Sequence, residues 1–488
     1  MEALDWLVIG VFFLALIGII VWVVRQKQND SADYFLGGRD ATWLAIGASI
    51  FASNIGSEHL IGLAGAGASS GMAMAHWEIQ GWMILILGWV FVPFYTRSMV
   101  YTMPEFLERR YNPQSRTILS VISLVSYVLT KVAVTVYAGG LVFQQVFGIK
   151  ELWGIDFFWI AAIGLVVLTA LYTIFGGMKS VLYTSVLQTP ILLLGSLIIL
   201  VLGFKELGGW DEMMRVCGAV TVNDYGDTMT NLIRSNDDAN FPWLGALIGS
   251  AIIGFWYWCT DQFIVQRVLS GKNEMEARRG TIFGAYLKLL PVFLFLIPGM
   301  IAFALHQKYI GAGGEGFLPM LANGTANADA AFPTLVAKLL PAGVKGLVVC
   351  GILAALMSSL ASLFNSSAML FTIDFYKRFR PETPEKKLVG IGQVATVVIV
   401  ILGILWIPIM RSVGDVLYTY LQDVQSVLAP GIAAAFLLGI CWKRTSAQGG
   451  MWGLIAGMVI GLTRLGAKVY YSNAGEVADS TFKYLFYD

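Results

Sequence analysis

Long apolar runs dominate this chain and restrict what it can fold into. Runs of about 17 or more predominantly apolar residues recur twelve times along its 488 residues. They lie near positions 6–24, 42–66, 72–95, 117–147, 156–175, 181–203, 243–265, 281–305, 345–373, 388–410, 415–440 and 447–466. Because about 20 helical residues cross the hydrocarbon core of a bilayer, we expect an all-α membrane protein with about twelve spans.

Charged residues are scarce, at 13 % of the chain against about 25 % in a typical soluble domain. Together with an apolar fraction of 57 % and a mean hydropathy of +0.71, this composition excludes a soluble globular domain and a disordered chain. The net charge of +1 gives no reason to expect nucleic acid or another acidic partner. The first run follows acidic residues and lacks a cleavage site of small residues, so we interpret it as an uncleaved membrane helix.

Lysine and arginine are concentrated in the short loops that follow the odd-numbered runs. Arg267 belongs to one such group and marks the expected cytoplasmic end of the seventh run. Since positively charged loops are retained in the cytoplasm, this distribution predicts a multi-pass protein of the cell (inner or plasma) membrane. The same distribution predicts that both termini lie outside the cytoplasm.

Polar residues interrupt the second run, FASNIGSEHLIGLAGAG, near its midpoint. Two short helical halves joined by an unwound stretch would leave backbone carbonyls free to coordinate a cation at mid-depth. The alternative is a continuous helix whose small residues let neighbouring helices approach. An intramembrane Glu58 and His59 beside Asn54 favour the broken, functional helix.

Small and hydroxyl-bearing residues also stand out in the ninth run, around Ala355, Ser358 and Ser359. Residues three and four positions apart share one helix face, so the two hydroxyls lie over the turn that holds the Ala355 carbonyl. Three oxygens on one face suit a hard monovalent cation. The alternative is that each serine bonds its own helix backbone, and free carbonyls from the second run would favour the cation site.

The seventh run reads GFWYWCTDQFIVQR and combines aromatic rings with hydroxyl, amide and carboxylate groups. Aromatic faces can stack on the apolar face of a sugar ring while neighbouring polar groups bond its hydroxyls. Trp256 and Trp258 could equally be anchors at the membrane interface.

Single polar residues inside other runs need a partner or a wet cavity. These are Glu78 in the third run, Lys288 in the eighth and Gln422 in the eleventh. Glu78 and Lys288 could pair with each other or with Asp261, or could bind a ligand. The amide of Gln422 could bond vicinal hydroxyls or join two helices.

Motifs for catalysis are absent from the sequence: there is no Walker loop, no HExxH, no GxSxG context and no Cys/His cluster. The cysteines form no disulfide framework, and we expect all four to be buried thiols: Cys217, Cys259, Cys350 and Cys441. We therefore predict that the protein is not an enzyme.

Five motifs carry a resemblance to a known family: FASNIGSEHLIGLAGAG, YTMPEFLERRY, YWCTDQFIVQR, MSSLASLFNSSAMLFTIDFY and FLLGICWKR. They resemble the solute:sodium symporter family, in its sodium/glucose cotransporter branch. The resemblance implies a leucine-transporter-like fold with two inverted repeats of five helices. The implied divisions are a peripheral first helix (1–30), a first repeat (31–204), an extracytoplasmic loop (205–242), a second repeat (243–441, with an outer loop at 306–344) and a peripheral C-terminal helix and tail (442–488).

The same resemblance implies two sites. A sodium site, with Na+ as the coupling ion, would use the carbonyls of Ala52, Ile55 and Ala355 and the hydroxyls of Ser358 and Ser359. A sugar site would use Asn54, His59, Glu78, Tyr257, Trp258, Lys288 and Gln422, with Leu63 and Tyr257 as gates. Relatives with a second sodium site have Asp where this chain has Ser185, so we predict one sodium per sugar.

The implied function is sodium-coupled import of a glucose- or galactose-type monosaccharide by alternating access. The alternatives are another small solute, such as myo-inositol, another polyol or a monocarboxylate, and, from a different class, an ion channel or a sugar sensor. A carboxylate would need a cationic partner, so Glu78 and Gln422 favour a polyol. The expected partners are the sugar, sodium and the lipid bilayer, with no nucleic acid; the sequence indicates no oligomeric state.

Overall fold

The structure is a computed structural model that describes residues 1–473 apart from 27, 29, 57, 239, 322–323 and 414–416. The side chains of 129, 409–424, 468–469 and 471–473 also lie outside the described set. Helices make up most of the chain. The described part also contains a short antiparallel pair, β1 (Glu151–Leu152) with β2 (Ile155–Asp156).

Among the described residues, the first half of the chain contains twelve α-helices. They are α1 (Ala3–Val24), α2 (Ser31–Leu36), α3 (Trp43–Asn54), α4 (Ala64–Ser70), α5 (His76–Ile79), α6 (Met83–Ile86), α7 (Val92–Ser98), α8 (Met103–Arg110), α9 (Pro113–Ser126), α10 (Ala133–Phe147), α11 (Phe157–Leu207) and α12 (Trp210–Gly218).

The described residues of the second half form ten more. They are α13 (Trp243–Gly254), α14 (Gln262–Leu269), α15 (Glu274–Leu287), α16 (Ile297–Gly311), α17 (Ala331–Leu339), α18 (Val344–Met369), α19 (Lys377–Phe379), α20 (Glu385–Val413), α21 (Leu417–Cys441) and α22 (Ala447–Asn473). Wider π-helical turns join several of them, at Glu58–Leu63, Leu87–Phe91, Tyr127–Val132, Phe255–Thr260, Val292–Leu296 and Leu370–Tyr376.

Nine helical stretches in the described residues are long and apolar enough to cross a membrane. One of them is α11, whose 51 residues bend at Gly177, where φ is 54° and ψ is −148°. That backbone conformation is essentially restricted to glycine, and it separates the fifth and sixth predicted runs. The helix α3 and the described end of α21 are apolar but shorter, so the number of twelve spans stays a prediction.

The second predicted run is interrupted, as expected from its polar residues, and the seventh run is interrupted as well. Helix α3 ends at Asn54 because Ile55 is extended, with φ −79° and ψ 102°, and the helix resumes at Glu58. In the seventh run, Asp261 is extended and its side chain accepts a hydrogen bond from the Phe263 N–H at the start of α14. Each break frees backbone groups inside the helical bundle.

Helix α18 lies at the centre of the bundle, and 89 % of its most apolar 18-residue stretch is buried. The corresponding fractions are 22 % for α1 and 11 % for α22, so these two helices present most of their surface outward. The repeat boundaries at 31–204 and 243–441 stay predictions.

Three of the four cysteines agree with the predicted burial. Cys217, Cys259 and Cys350 are free and buried, whereas Cys441 is exposed. The prediction for Cys441 was wrong because α21 ends at that residue, where the chain leaves the bundle.

Candidate functional site

A buried charged cluster lies between three separate segments of the chain. The Lys288 ammonium is 2.7 Å from a Glu78 carboxylate oxygen and 2.8 Å from Nε2 of His59. His59 Nε2 is also 3.2 Å from the other Glu78 oxygen. All three residues are at most 5 % exposed. Of the pairings that the sequence left open, the structure shows Glu78 with Lys288.

Aromatic side chains of the π-helical turn Phe255–Thr260 border this cluster. The rings of Tyr257 and Trp258 pack edge to face with centroids 4.9 Å apart, and the Lys288 ammonium lies 5.6 Å from the Trp258 ring centroid. The Asn54 amide donates a 3.0 Å hydrogen bond to the Tyr257 hydroxyl. Trp256 and Trp258 are 5 % and 2 % exposed, so they are part of the interior and not anchors at the membrane interface.

These groups enclose a polar cavity of about 30 Å³, which is the scale of one water molecule. Its lining is formed by Asn54, Glu58, His59, Trp77, Glu78, Gln80, Ile253, Tyr257, Trp258, Lys288 and Gln425. A hexose is far larger than this space. Side chains or helices must therefore move before such a ligand can bind here.

Three buried polar atoms of the cavity lining have neither a hydrogen-bond partner nor an ion-pair partner among the described residues. They are Oδ1 of Asn54, Nδ1 of His59 and Oε1 of Gln80. Buried polar groups are nearly always hydrogen-bonded, and the two amide oxygens can only accept. A ligand that offers several hydroxyl groups would satisfy all three atoms.

Six of the seven predicted sugar-site residues line this cavity. The seventh, Gln422, lies in α21, but its side chain is outside the described residues. Gln425, one turn further along the same helix, lines the cavity, as does Gln80, and neither was predicted. Helical spacing could have indicated Gln425, three positions after Gln422. The predicted gate Leu63 is fully buried at the end of the π-helical turn that holds His59.

The predicted sodium site lies where α3 ends against α18. The Ser359 hydroxyl donates to the Ser53 carbonyl at 2.8 Å and lies 3.4 Å from the Ile55 carbonyl oxygen. A Cβ at Gly56 would come within 2.8 Å of the same hydroxyl, so only glycine leaves this space open. Ala52 is buried in the last turn of α3.

The ninth run supplies the other side of this site. Ser358 is 1 % exposed, with its hydroxyl 3.2 Å from that of Ser185, and Ala355 is buried one turn earlier in α18. Neutral oxygen ligands of this kind suit a hard cation. The residues present therefore fit a sodium ion.

Asp261 pairs with neither Glu78 nor Lys288. Its carboxylate lies 2.9 Å from the Lys131 ammonium and also accepts a hydrogen bond from the Tyr127 hydroxyl. The ammonium lies 4.6 Å from the Tyr257 ring centroid. This second ion pair holds the break of the seventh run against the fourth run.

Arg267 does not lie in a cytoplasmic loop, so its predicted position was wrong. It is 1 % exposed, and its guanidinium donates to the hydroxyls of Ser49 and Ser53 on α3. The reason is that the chain resumes as α14 after Asp261, and this helix keeps Arg267 inside the bundle. A count of charges along the sequence cannot reveal this.

Two solved structures have a fold similar to that of this chain. A Na+-coupled sialic acid symporter in a substrate-bound outward-open state has a TM-score of 0.77 at 22 % identity, over 95 % of this chain and 98 % of that one. MhsT in complex with L-phenylalanine has a TM-score of 0.56 at 13 % identity, over 86 % and 96 % of the two chains. These likenesses show the leucine-transporter-like fold, as predicted.

Sequence comparisons assign the chain to a family. The family model described as "Sodium:solute symporter family" matches residues 34–457. Human sodium/myo-inositol cotransporter 2 is 38 % identical over 479 residues, which cover 95 % of this chain and 70 % of the human protein. Sodium/glucose cotransporter 4 of Mus musculus is 38 % identical over 482 residues, with 96 % and 69 % covered.

The chain therefore belongs to the sodium:solute symporter family. It is a multi-pass membrane transporter and not an enzyme, and its coupling ion is sodium, as predicted.

Proposed function

We propose that this symporter imports a neutral six-carbon polyol, either myo-inositol or a glucose-type sugar, through the cavity around Glu78 and Lys288. The observation that carries the proposal is the set of three unpartnered polar atoms in the cavity lining, on Asn54, His59 and Gln80. A ring with many hydroxyls offers donors to the two amide oxygens and can also bond His59. The names of similar proteins support both myo-inositol and glucose-type substrates.

A monocarboxylate fits the cavity less well. Its negative charge would need a free cation, but the Lys288 ammonium is already within 2.7 Å of the Glu78 carboxylate. Bringing a second carboxylate next to Glu78 in a buried site would be unfavourable. The charge arrangement therefore favours a neutral substrate.

Sodium binding and substrate binding share the end of α3. Ile55 would offer its carbonyl to sodium, and the preceding residue, Asn54, lines the substrate cavity and bonds Tyr257. A sodium ion held by Ile55, Ser358 and Ser359 would fix this chain end against α18. The Asn54 side chain would then be positioned for the substrate. Substrate binding would permit the cavity to close on its outer side and to release the substrate on the inner side.

We also propose that both termini of the chain lie outside the cytoplasm. The proposed ratio is one sodium ion per substrate molecule. Position 185 supplies a hydroxyl and no carboxylate, which weakens any second sodium site. The reversal potential of the transport current at several sodium gradients measures the ratio, and a value that fits two sodium ions would contradict it.

Substrate competition tests the proposed substrate class. In proteoliposomes with an inward sodium gradient, unlabelled glucose and galactose are expected to reduce the uptake of labelled myo-inositol, because all are neutral ring polyols. Lactate at the same concentration is expected to have no effect, because it adds a carboxylate beside Glu78. Strong inhibition by lactate, with none by the polyols, would contradict the proposal.

A further inference from the structure

Glu58 is the one residue between positions 45 and 68 that is not buried, among the residues of this stretch whose burial the structure describes. It begins the π-helical turn Glu58–Leu63, directly after the break in the second run. Its side chain lines the polar cavity together with His59 and Lys288. The Glu58 carboxylate therefore borders the space in which the proposed substrate would bind.

The carboxylate of Glu58 has no hydrogen-bond partner, and no ion-pair partner within 4.0 Å, in the described part of the chain. Glu78 is the other carboxylate of the cavity lining. One of its oxygens is 2.7 Å from the Lys288 ammonium and the other is 3.2 Å from Nε2 of His59. Since an ionised carboxylate has about four lone-pair positions and is a stronger acceptor than a neutral group, Glu58 is the strongest acceptor still available among the described residues of this lining.

Charge balance is the alternative role for Glu58. The carboxylate interacts electrostatically with the ammonium groups of Lys131 and Lys288. A glutamate needed only to balance these charges would be expected to approach one of them, as Asp261 and Glu78 do at 2.9 and 2.7 Å. Glu58 forms no such pair and stays open to the cavity, which favours a role in binding a ligand.

We propose that Glu58 is a further substrate-binding residue, whose two carboxylate oxygens accept hydrogen bonds from two adjacent hydroxyl groups of the polyol. Neighbouring hydroxyls on a six-membered ring lie close enough for one carboxylate to accept from both, unless both are axial. Glu58 would therefore select solutes that carry such a vicinal diol. This inference rests on the proposed function, because it assigns Glu58 a role toward the same neutral polyol.

Analogues that each lack one hydroxyl group probe this contact. In proteoliposomes with an inward sodium gradient, monodeoxy analogues of myo-inositol compete with labelled myo-inositol for uptake. Monodeoxy hexoses take their place if labelled glucose is taken up faster. Loss of either hydroxyl that bonds Glu58 is expected to raise the inhibition constant at least about tenfold, the usual effect of losing a hydrogen bond to a charged group.

Glu58→Gln keeps the shape of the side chain and removes its charge. The substitution is expected to weaken inhibition by the complete polyol, and by most of the analogues, by one common factor of about tenfold or more. For the two analogues that lack a hydroxyl bonded to Glu58, this factor should be at least about threefold smaller, and those two hydroxyls should be neighbours on the ring. Such non-additivity marks a direct contact. One factor for every analogue, or no effect on the complete polyol, would overturn the proposal.

Glu151→Gln is the matched control, because Glu151 is an exposed glutamate on β1 outside the cavity, and it should leave every inhibition constant unchanged. Inhibition constants do not depend on the amount of folded protein, so partial unfolding of Glu58→Gln cannot produce the expected pattern. Sodium-dependent polyol uptake by the unmodified protein, with uniform weakening in Glu58→Gln, would overturn the role of Glu58 and leave the proposed function intact. Absence of sodium-dependent uptake of any neutral polyol would overturn both.

Discussion

Ser359→Ala is expected to raise the sodium concentration for half-maximal uptake at least about tenfold, equivalent to about 1.4 kcal/mol of sodium binding. The Ser359 hydroxyl lies between the carbonyls of Ser53 and Ile55, at 2.8 and 3.4 Å, and is one of the five proposed sodium ligands. Alanine removes this oxygen and keeps the helix propensity of α18. Uptake of labelled myo-inositol over a range of sodium concentrations measures the effect.

Ser367→Ala is the matched control on the same helix. The Ser367 hydroxyl is buried, has no hydrogen-bond partner among the described residues and lies two turns beyond Ser359. Its removal should leave the sodium dependence of uptake unchanged. If Ser359→Ala also behaved like the unmodified protein, Ser359 would have no place among the sodium ligands.

Lys288→Met is expected to destabilise the protein by about 3–5 kcal/mol, because it leaves the buried Glu78 carboxylate without its cation. The two groups are 2.7 Å apart and both residues are at most 5 % exposed. The thermal unfolding midpoint in detergent should fall clearly. In contrast, Arg215→Met breaks an exposed ion pair with Glu212 and should leave the midpoint almost unchanged.

The double variant Glu78→Gln with Lys288→Met separates stability from binding. Removing both charges of a buried pair is often neutral for stability, so the midpoint is expected to recover most of the loss. Uptake should remain at least about 100-fold below the unmodified level, since two lost charged hydrogen bonds to substrate are worth about 1.5 kcal/mol or more each. Full recovery of uptake would show that the pair is structural and does not bind substrate.

Local chemistry explains the features that the sequence predicted well. A carboxylate and an imidazole beside Asn54, and a carboxylate at Asp261, are too costly in a regular apolar helix, and the backbone is interrupted at both places. The serines at 358 and 359 share a face because of helical periodicity alone. These properties depend on residues near each other in the chain.

Contacts between distant segments could not be predicted in the same way. The sequence leaves open whether Glu78 and Lys288 pair with each other or with Asp261. Only the packing of the end of α15 against the third run brings Lys288 to Glu78. The sequence predicts a loop at Arg267 because an apolar run ends near this residue. In the structure, the turn at Asp261 directs Arg267 into the bundle. Gln80 needed the same three-dimensional information.

Sodium and substrate are expected to bind on opposite sides of one chain break, through Ile55 and Asn54. The most direct test is equilibrium binding of labelled myo-inositol to the purified protein in sodium chloride and in choline chloride. Sodium is expected to lower the dissociation constant at least about tenfold, within the usual range of coupling between two sites. Equal dissociation constants in the two salts would contradict the claim.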